Sequence, residues 1–177
     1  MSILIIDDFQ EERDLLFTIL HSAGFGPLLP VGTAREGLQL LGVGKRGKQT
    51  SGIDLVLMDI EMPEIDGLEA CQRIRMEDQL QNLPIIVITA HTEAKDIQAA
   101  YTCGATDYIR KPVIPAELIA RAANALSLKQ EIDARKLREQ ELLERTKELD
   151  HAFEQITTLH GTVHICAKCK RVKSDGP

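Results

Sequence analysis

The sequence predicts a doubly wound α/β layer, a five-stranded parallel sheet with helices on both faces, followed by an extended C-terminal helix. Three observations lead there. Five short apolar runs fall between residues 3 and 109, helical patterns separate them, and after Pro115 neither Pro nor Gly occurs through residue 158. Strand and helix alternate five times, the order expected of right-handed crossovers in one parallel sheet.

The runs Ile3-Leu4-Ile5-Ile6, 53–58 and 84–89 are nearly continuous in Ile, Leu and Val. Such runs suit strands buried on both faces. The run 28–31 contains Pro30, which cannot donate to a ladder and so points to an edge strand. Residues 106–109 supply the fifth. Residues 11–23 place Leu15, Leu16, Ile19 and Leu20 on one helical face, and Gly24 ends that helix. Thr33 is positioned to cap a helix through Leu38, Leu40 and Leu41. Residues 68–76 and 93–103 give two more, and Pro115 suits the first turn of a fifth. The segment 44–52, with Lys45, Arg46 and Lys48, reads as a solvated loop.

The 177 residues suit one domain plus an appendage. Hydrophobic residues make up 44% but aromatics only 3%, and Trp is absent, so aliphatic side chains must fill the core. A net charge of -6 gives no general attraction for nucleic acid or anionic membrane. No apolar run approaches the ~20 residues of a membrane span. The chain opens directly into a strand-like segment without a basic leader, so a cytoplasmic protein is expected. Cys71 and Cys103 sit alone in helix-like stretches and read as reduced core residues.

In an open parallel sheet, ligands bind beyond the carboxyl ends of the strands. The first run ends in Asp7-Asp8, the third in Asp59, the fourth in Thr89, and the fifth is followed by Lys111-Pro112. Four elements thus bring three carboxylates, a hydroxyl and an ammonium to one edge.

Asp7-Asp8, the segment Met58-Asp59-Ile60-Glu61-Met62-Pro63-Glu64-Ile65-Asp66-Gly67, Ile88-Thr89-Ala90, and Gly104 through Lys111-Pro112 together carry a family resemblance. Over residues 1–125 the chain resembles the CheY-like receiver domain of two-component response regulators. The resemblance implies a flavodoxin-like sheet of order 2-1-3-4-5. It implies Asp59 as the acceptor of a phosphoryl group from a sensor histidine kinase or phosphotransfer protein. A carboxylate can take such a group as an acyl phosphate. It implies Mg²⁺, contacted directly by Asp8 and Asp59, through water by Asp7, and by the backbone carbonyl of Glu61. Crowded carboxylates repel one another, and a hard cation with oxygen ligands relieves that cost. Lys111 and the Thr89 hydroxyl would hold phosphoryl oxygens, with Lys111-Pro112 cis. Thr89 and Tyr108 would form the switch, and the surface of the fourth helix, fifth strand and fifth helix would dimerise. Glu61 and His91 would tune the lifetime of the phosphate. Such a domain catalyses only its own modification and is not an enzyme on external substrates. Two alternatives stand beside this reading. One is a constitutively dimeric scaffold indifferent to phosphate. The other is a phosphohydrolase, whose Asp-x-Asp signature Asp7-Asp8 lacks.

From residue 115 onward, Glu, Lys, Arg, Gln, Leu and Ala dominate, all favourable for helix. A heptad frame puts Ala125, Ile132, Glu139, Thr146, Phe153 and His160 at one seam position. Leu128, Arg135, Leu142, Leu149, Ile156 and Val163 take the other. The expectation is a parallel two-stranded coiled coil over 126–160, interrupted at Arg135 and Glu139, and a poorly ordered tail over 161–177. In that tail Cys166 and Cys169 form a CxxC pair, half of a tetrahedral zinc site that His160 and His164 could complete. The spacing does not match common zinc fingers, and a reduced tail is the plainer reading. No DNA-binding or cyclase-type output motif is visible.

Overall fold

The computed structural model describes residues 1–44, 52–90 and 94–160, and all their side chains except those of 94–97 and 154–160. The elements run β1 Ser2–Ile6, α1 Gln10–Ser22, β2 Leu28–Val31, α2 Ala34–Leu41, β3 Ile53–Asp59, α3 Gly67–Arg75, β4 Ile85–Thr89, α4 Ala94–Thr102, β5 Asp107–Arg110 and α5 Pro115–His160. The five strands form one parallel sheet of order β2-β1-β3-β4-β5. Pro30 does lie on the edge strand, paired with Ile5. A short 3-10 turn at Asp78–Leu80, before β4, has no clear counterpart in the sequence pattern. Among the described residues no helix is long and apolar enough to cross a membrane.

Alternation along each strand divides the core in two. Leu4, Ile6, Val56, Met58, Ile85 and Val87 pack with Leu38 and Leu41 of α2, Cys71 and Ile74 of α3, and Ala100 of α4. Ile3, Ile5, Leu55, Leu57, Ile86, Ile88 and Ile109 pack with Leu16 and Leu20 of α1 and Leu118 and Ala122 of α5. Among the described residues no aromatic side chain is buried in the core; Phe17 and Phe25 only abut it. Leu15 departs from the expected face of α1. It is exposed, because Leu16 and Leu20 already fill the contact with the sheet and Leu15 lies about 100° around the helix from Leu16.

Caps and backbone specials fix the helix ends. Thr33 caps α2 by accepting from the Glu36 amide, and Asp66 caps α3 by accepting from the Glu69 amide. The Lys111-Pro112 bond is cis, and so is Gly26-Pro27. Cys71 and Cys103 are free and buried in the core, as the sequence suggested, and the fold brings them together. The Cys71 thiol donates to the Cys103 carbonyl at 3.2 Å, because the end of α4 packs on α3 in the same core. Arg75 crosses the same junction, donating to the Gly104 carbonyl at 2.8 Å and the Leu80 carbonyl at 2.9 Å.

The chain forms two compact units, Met1–Ile132 and Asp133–Pro177. In the first, α5 buries Leu118, Ala122, Ala125 and Leu126. In the second, every described side chain from 133 to 153 is exposed, including Leu142 and Phe153.

Gly67 is required for a reason the sequence did not reveal. Its backbone needs no left-handed turn. A Cβ there would lie 2.1 Å from the Asp59 carbonyl oxygen and 2.9 Å from the Ile60 Cα. At Gly37 the clash would be with the end of the Ile6 side chain, at 2.4 Å, which can rotate away. Gly67→Ala is therefore expected to destabilise the protein by about 2–3 kcal/mol, and Gly37→Ala by less. Urea unfolding of the two variants checks the order.

Candidate functional site

The register of the central strands builds the site. β1 and β3 are neighbours, with Ile6 opposite Met58, so the residues that follow, Asp7 and Asp59, emerge side by side. Asp59 pairs with Ile88, which puts Thr89 just past it on β4. Thr89 in turn pairs with Arg110, and the Lys111 amide donates to the Thr89 carbonyl at 2.8 Å. The loop after β3 is closed by the Gly67 amide donating to the Ile60 carbonyl at 2.9 Å, over the Asp59 backbone.

One carboxylate oxygen from each of Asp7, Asp8 and Asp59 lies within 4.8 Å of the others. Asp7 and Asp59 are buried and Asp8 is exposed. Lys111 reaches in with its ammonium 2.8 Å from Asp59 Oδ1 and 3.9 Å from Asp7 Oδ2. Thr89 is buried. Four of the five expected groups are thus shown converging on one another, and Thr89 flanks them on the adjoining strand. Glu61 lies exposed two residues beyond Asp59. Tyr108 is half-buried on β5, edge-on to Tyr101 at 6.0 Å and beneath the Arg121 guanidinium at 5.9 Å. Arg121 is held by Asp107 at 2.5 Å and by Glu117 at 2.8 Å, and the bond to Asp107 leads in raising its pKa. His91, His164, Cys166 and Cys169 and the side chain of His160 lie outside the described residues.

Two participants escaped the sequence reading. Glu12, in the first turn of α1, forms an ion pair with Lys111. Arg13 donates from Nη1 to the Asp7 carbonyl at 2.5 Å, fastening α1 to the end of β1. Glu11 and Glu12 both suit the positive end of a helix, so the sequence alone does not single out the one that faces Lys111.

The electrostatics follow from burial. Burial pushes the Asp7 carboxyl up to about 6, against the lowering effects of the Phe9 amide bond and Lys111, and the charges of Asp59 and Glu12 add to the rise. Burial also raises Asp59, opposed by its hydrogen bond with Lys111. For Lys111, burial alone would lower the pKa, but the bonds to Asp59 and Glu12 and the charges around it win and hold the ammonium well above its ordinary value.

This arrangement suits a hard divalent cation. Asp7 Oδ1 accepts from the Phe9 amide at 2.8 Å, while its buried Oδ2 accepts no hydrogen bond. A buried carboxylate oxygen left without a partner is costly. The clustered donors are all oxygens, the set that Mg²⁺ prefers.

The Asp7 shift has a signed consequence in metal-free protein. The unfolded chain releases the Asp7 proton near 3.8 and the folded protein near 6. Between these values the folded state holds the extra proton, so stability falls as pH rises from the lower value through the upper. In Asp7→Asn that loss is absent. The variant should gain over the parent across this window, by about 1–3 kcal/mol at neutral pH. Urea unfolding at a series of pH values in a chelator measures the difference. Mg²⁺ should narrow it by binding only the folded parent.

Residues 3–123 match the family model of the response regulator receiver domain. The chain is 34% identical over 154 residues to the cyclic di-GMP phosphodiesterase response regulator RpfG of Xanthomonas campestris, covering 85% of this chain and 39% of that protein. It is 34% identical over 125 residues to the response regulator SaeR of Staphylococcus epidermidis, covering 71% of this chain and 50% of that protein. It thus spans half or less of the length of both. A crystal structure of a putative response regulator from Chloroflexus aurantiacus superposes with a TM-score of 0.63 at 30% identity, covering 71% of this chain and 97% of that one. With the five-stranded parallel order, the acidic cluster and the lysine after β5 all in place, the chain belongs to the response regulator receiver domain family.

Proposed function

We propose that the protein is a phosphorylation-controlled switch in which Asp59 accepts a phosphoryl group from a phosphohistidine of a sensor histidine kinase or phosphotransfer protein. The observation that carries this reading is the convergence of Asp7, Asp8 and Asp59 within 4.8 Å, with the Lys111 ammonium 2.8 Å from Asp59. In the transfer an Asp59 carboxylate oxygen forms a bond to phosphorus as the phosphorus–nitrogen bond of the donor breaks, and the electron pair leaves with the imidazole. Asp8 and Asp59 would hold Mg²⁺ directly, Asp7 through water, and Glu61 through its backbone carbonyl. A bound cation supplies neutralising charge at the phosphoryl oxygens. Lys111 and the Thr89 hydroxyl would take the remaining oxygens. The reaction modifies the protein itself, and no external substrate is assigned to it.

The phosphoryl group adds about 1.5–2 negative charges and strong acceptors beside Thr89. Engagement of the Thr89 hydroxyl would favour a second arrangement of Tyr108, which packs on Tyr101 and Arg121 at the surface of α4, β5 and α5. The mechanism is a population shift, so phosphate must favour one arrangement over the other. Residues 1–125 would carry the receiver function and residues 126–160 a two-stranded coiled coil between copies of the chain. Exposure of Leu142, Leu149 and Phe153 in a single chain supports an apolar seam there.

Two measurements test the reading. Incubation with a small phosphodonor and Mg²⁺ should add one phosphoryl mass to the wild type and none to Asp59→Asn. An equal adduct in both would overturn the acceptor assignment. Replacing Leu142 and Leu149 together by Lys should lower dimer affinity at least tenfold in analytical ultracentrifugation. An unchanged dimer would remove the seam.

A further inference from the structure

The ammonium of Lys111 serves three carboxylates. Asp59 Oδ1 lies at 2.8 Å, Asp7 Oδ2 at 3.9 Å, and Glu12 is in direct contact. Asp7 and Asp59 are buried at the ends of central strands and have no room to leave. Glu12 is different. It stands on the first turn of α1, and its side chain is 41% exposed. Glu12 and Lys111 border a cavity of about 140 Å³ walled mainly by Leu15, Leu16, Ile88, Pro112 and Val113. The cavity leaves space beside the Glu12 carboxylate. Its apolar walls also weaken screening, so the Glu12 charge acts across the site.

We propose that Glu12 is a positioning residue that competes with the incoming phosphoryl group for Lys111, and thereby makes the site discriminate among small phosphodonors by their charge. The proposal rests on the reading of Asp59 as acceptor. Glu12 occupies a donor of Lys111 until a phosphoryl oxygen displaces it. It also adds a fourth negative charge to those of Asp7, Asp8 and Asp59, with Lys111 the ammonium that Glu12 and Asp59 share. A dianionic donor meets more of that repulsion than a monoanionic one. When transfer occurs, an Asp59 oxygen bonds to phosphorus, the bond from phosphorus to the leaving oxygen or nitrogen breaks, and the electron pair departs with the leaving group. Lys111 then passes from Glu12 to a phosphoryl oxygen. The exchange explains why the lysine is held in place before any phosphate arrives, yet by a partner that can withdraw.

The test compares the wild type, Glu12→Gln and Glu12→Asp, each with acetyl phosphate as the dianionic donor and phosphoramidate as the monoanionic one, in Mg²⁺. Glu12→Gln should raise the second-order phosphorylation rate with acetyl phosphate about three- to tenfold, and with phosphoramidate less than about twofold. Glu12→Asp keeps the charge and should keep the donor ratio of the wild type. A merely structural Glu12 would move both donors alike. A second readout needs no metal and no phosphate. Urea midpoints of wild type, Glu12→Gln, Lys111→Met and the double variant in chelator should be non-additive, reporting the ion pair directly. Equal acceleration with both donors, no acceleration, or additive midpoints would overturn the proposal. If Asp59→Asn takes up phosphoryl like the wild type, the acceptor reading itself fails and this inference falls with it. An Asp59-dependent adduct whose donor ratio ignores Glu12→Gln sinks the role of Glu12 alone.

Discussion

Repulsion between carboxylates forced together at one edge of the sheet is the constraint around which this molecule is arranged. Asp7 and Asp59 cannot move apart, because the hydrogen-bonded ladder between β1 and β3 sets their spacing. They cannot be solvated as exposed acids are, because both are buried. The Lys111 ammonium offsets them from 2.8 Å at Asp59 and 3.9 Å at Asp7, and it is shared with Glu12. Burial first, and the neighbouring carboxylate charges second, raise the pKa values of Asp7 and Asp59, and one oxygen of Asp7 is left unbonded. A site left so negative is poised for cations, and a bound cation would return stability to the fold.

Much of this was readable in the chain, and the reasons are specific. The runs at residues 3–6, 53–58 and 84–89 are too uniformly aliphatic for anything but doubly covered strands, and Pro30 marked the edge. Once those strands are parallel and adjacent, Asp7, Asp59, Thr89 and Lys111 must gather at one rim. What could not be read were contacts set by the rotation of a helix or the docking of one element on another. Leu15 looked as inward as Leu16, yet only the true helix phase separates them. Glu12 and Glu11 differ only in which way they face. Cys71 and Cys103 lie 32 residues apart, and nothing local brings them together. Gly67 is needed because the Asp59 carbonyl is pressed against it, a contact that no local sequence pattern announces.

The C-terminal helix illustrates the other limit. Its existence was plain from the absence of Pro and Gly and the wealth of good helix formers. Its apolar residues from Leu137 to Phe153 are exposed in the single chain. Periodicity can say that such a stripe exists, but burial of the stripe requires a partner surface, which a single chain's sequence does not contain.

The strict parity of the strands has a consequence of its own. Ile3 and Ile5, Leu55 and Leu57, and Ile109 all belong to the layer shared with α1 and α5. Stepping on by two along each strand reaches Asp7, Asp59 and Lys111, so the charged cluster continues that same layer and meets α1 at Glu12. Thr89 and Tyr108 have the opposite parity, that of Val87, and so fall toward α4. The sheet thus sets the acidic cluster and Lys111 on the α1 side and Tyr108 on the α4 side, with Thr89 at the rim between them. On the proposed reading, the two sides are joined by a single step along β4, from Ile88 to Thr89, which leaves very little distance between reaction and response.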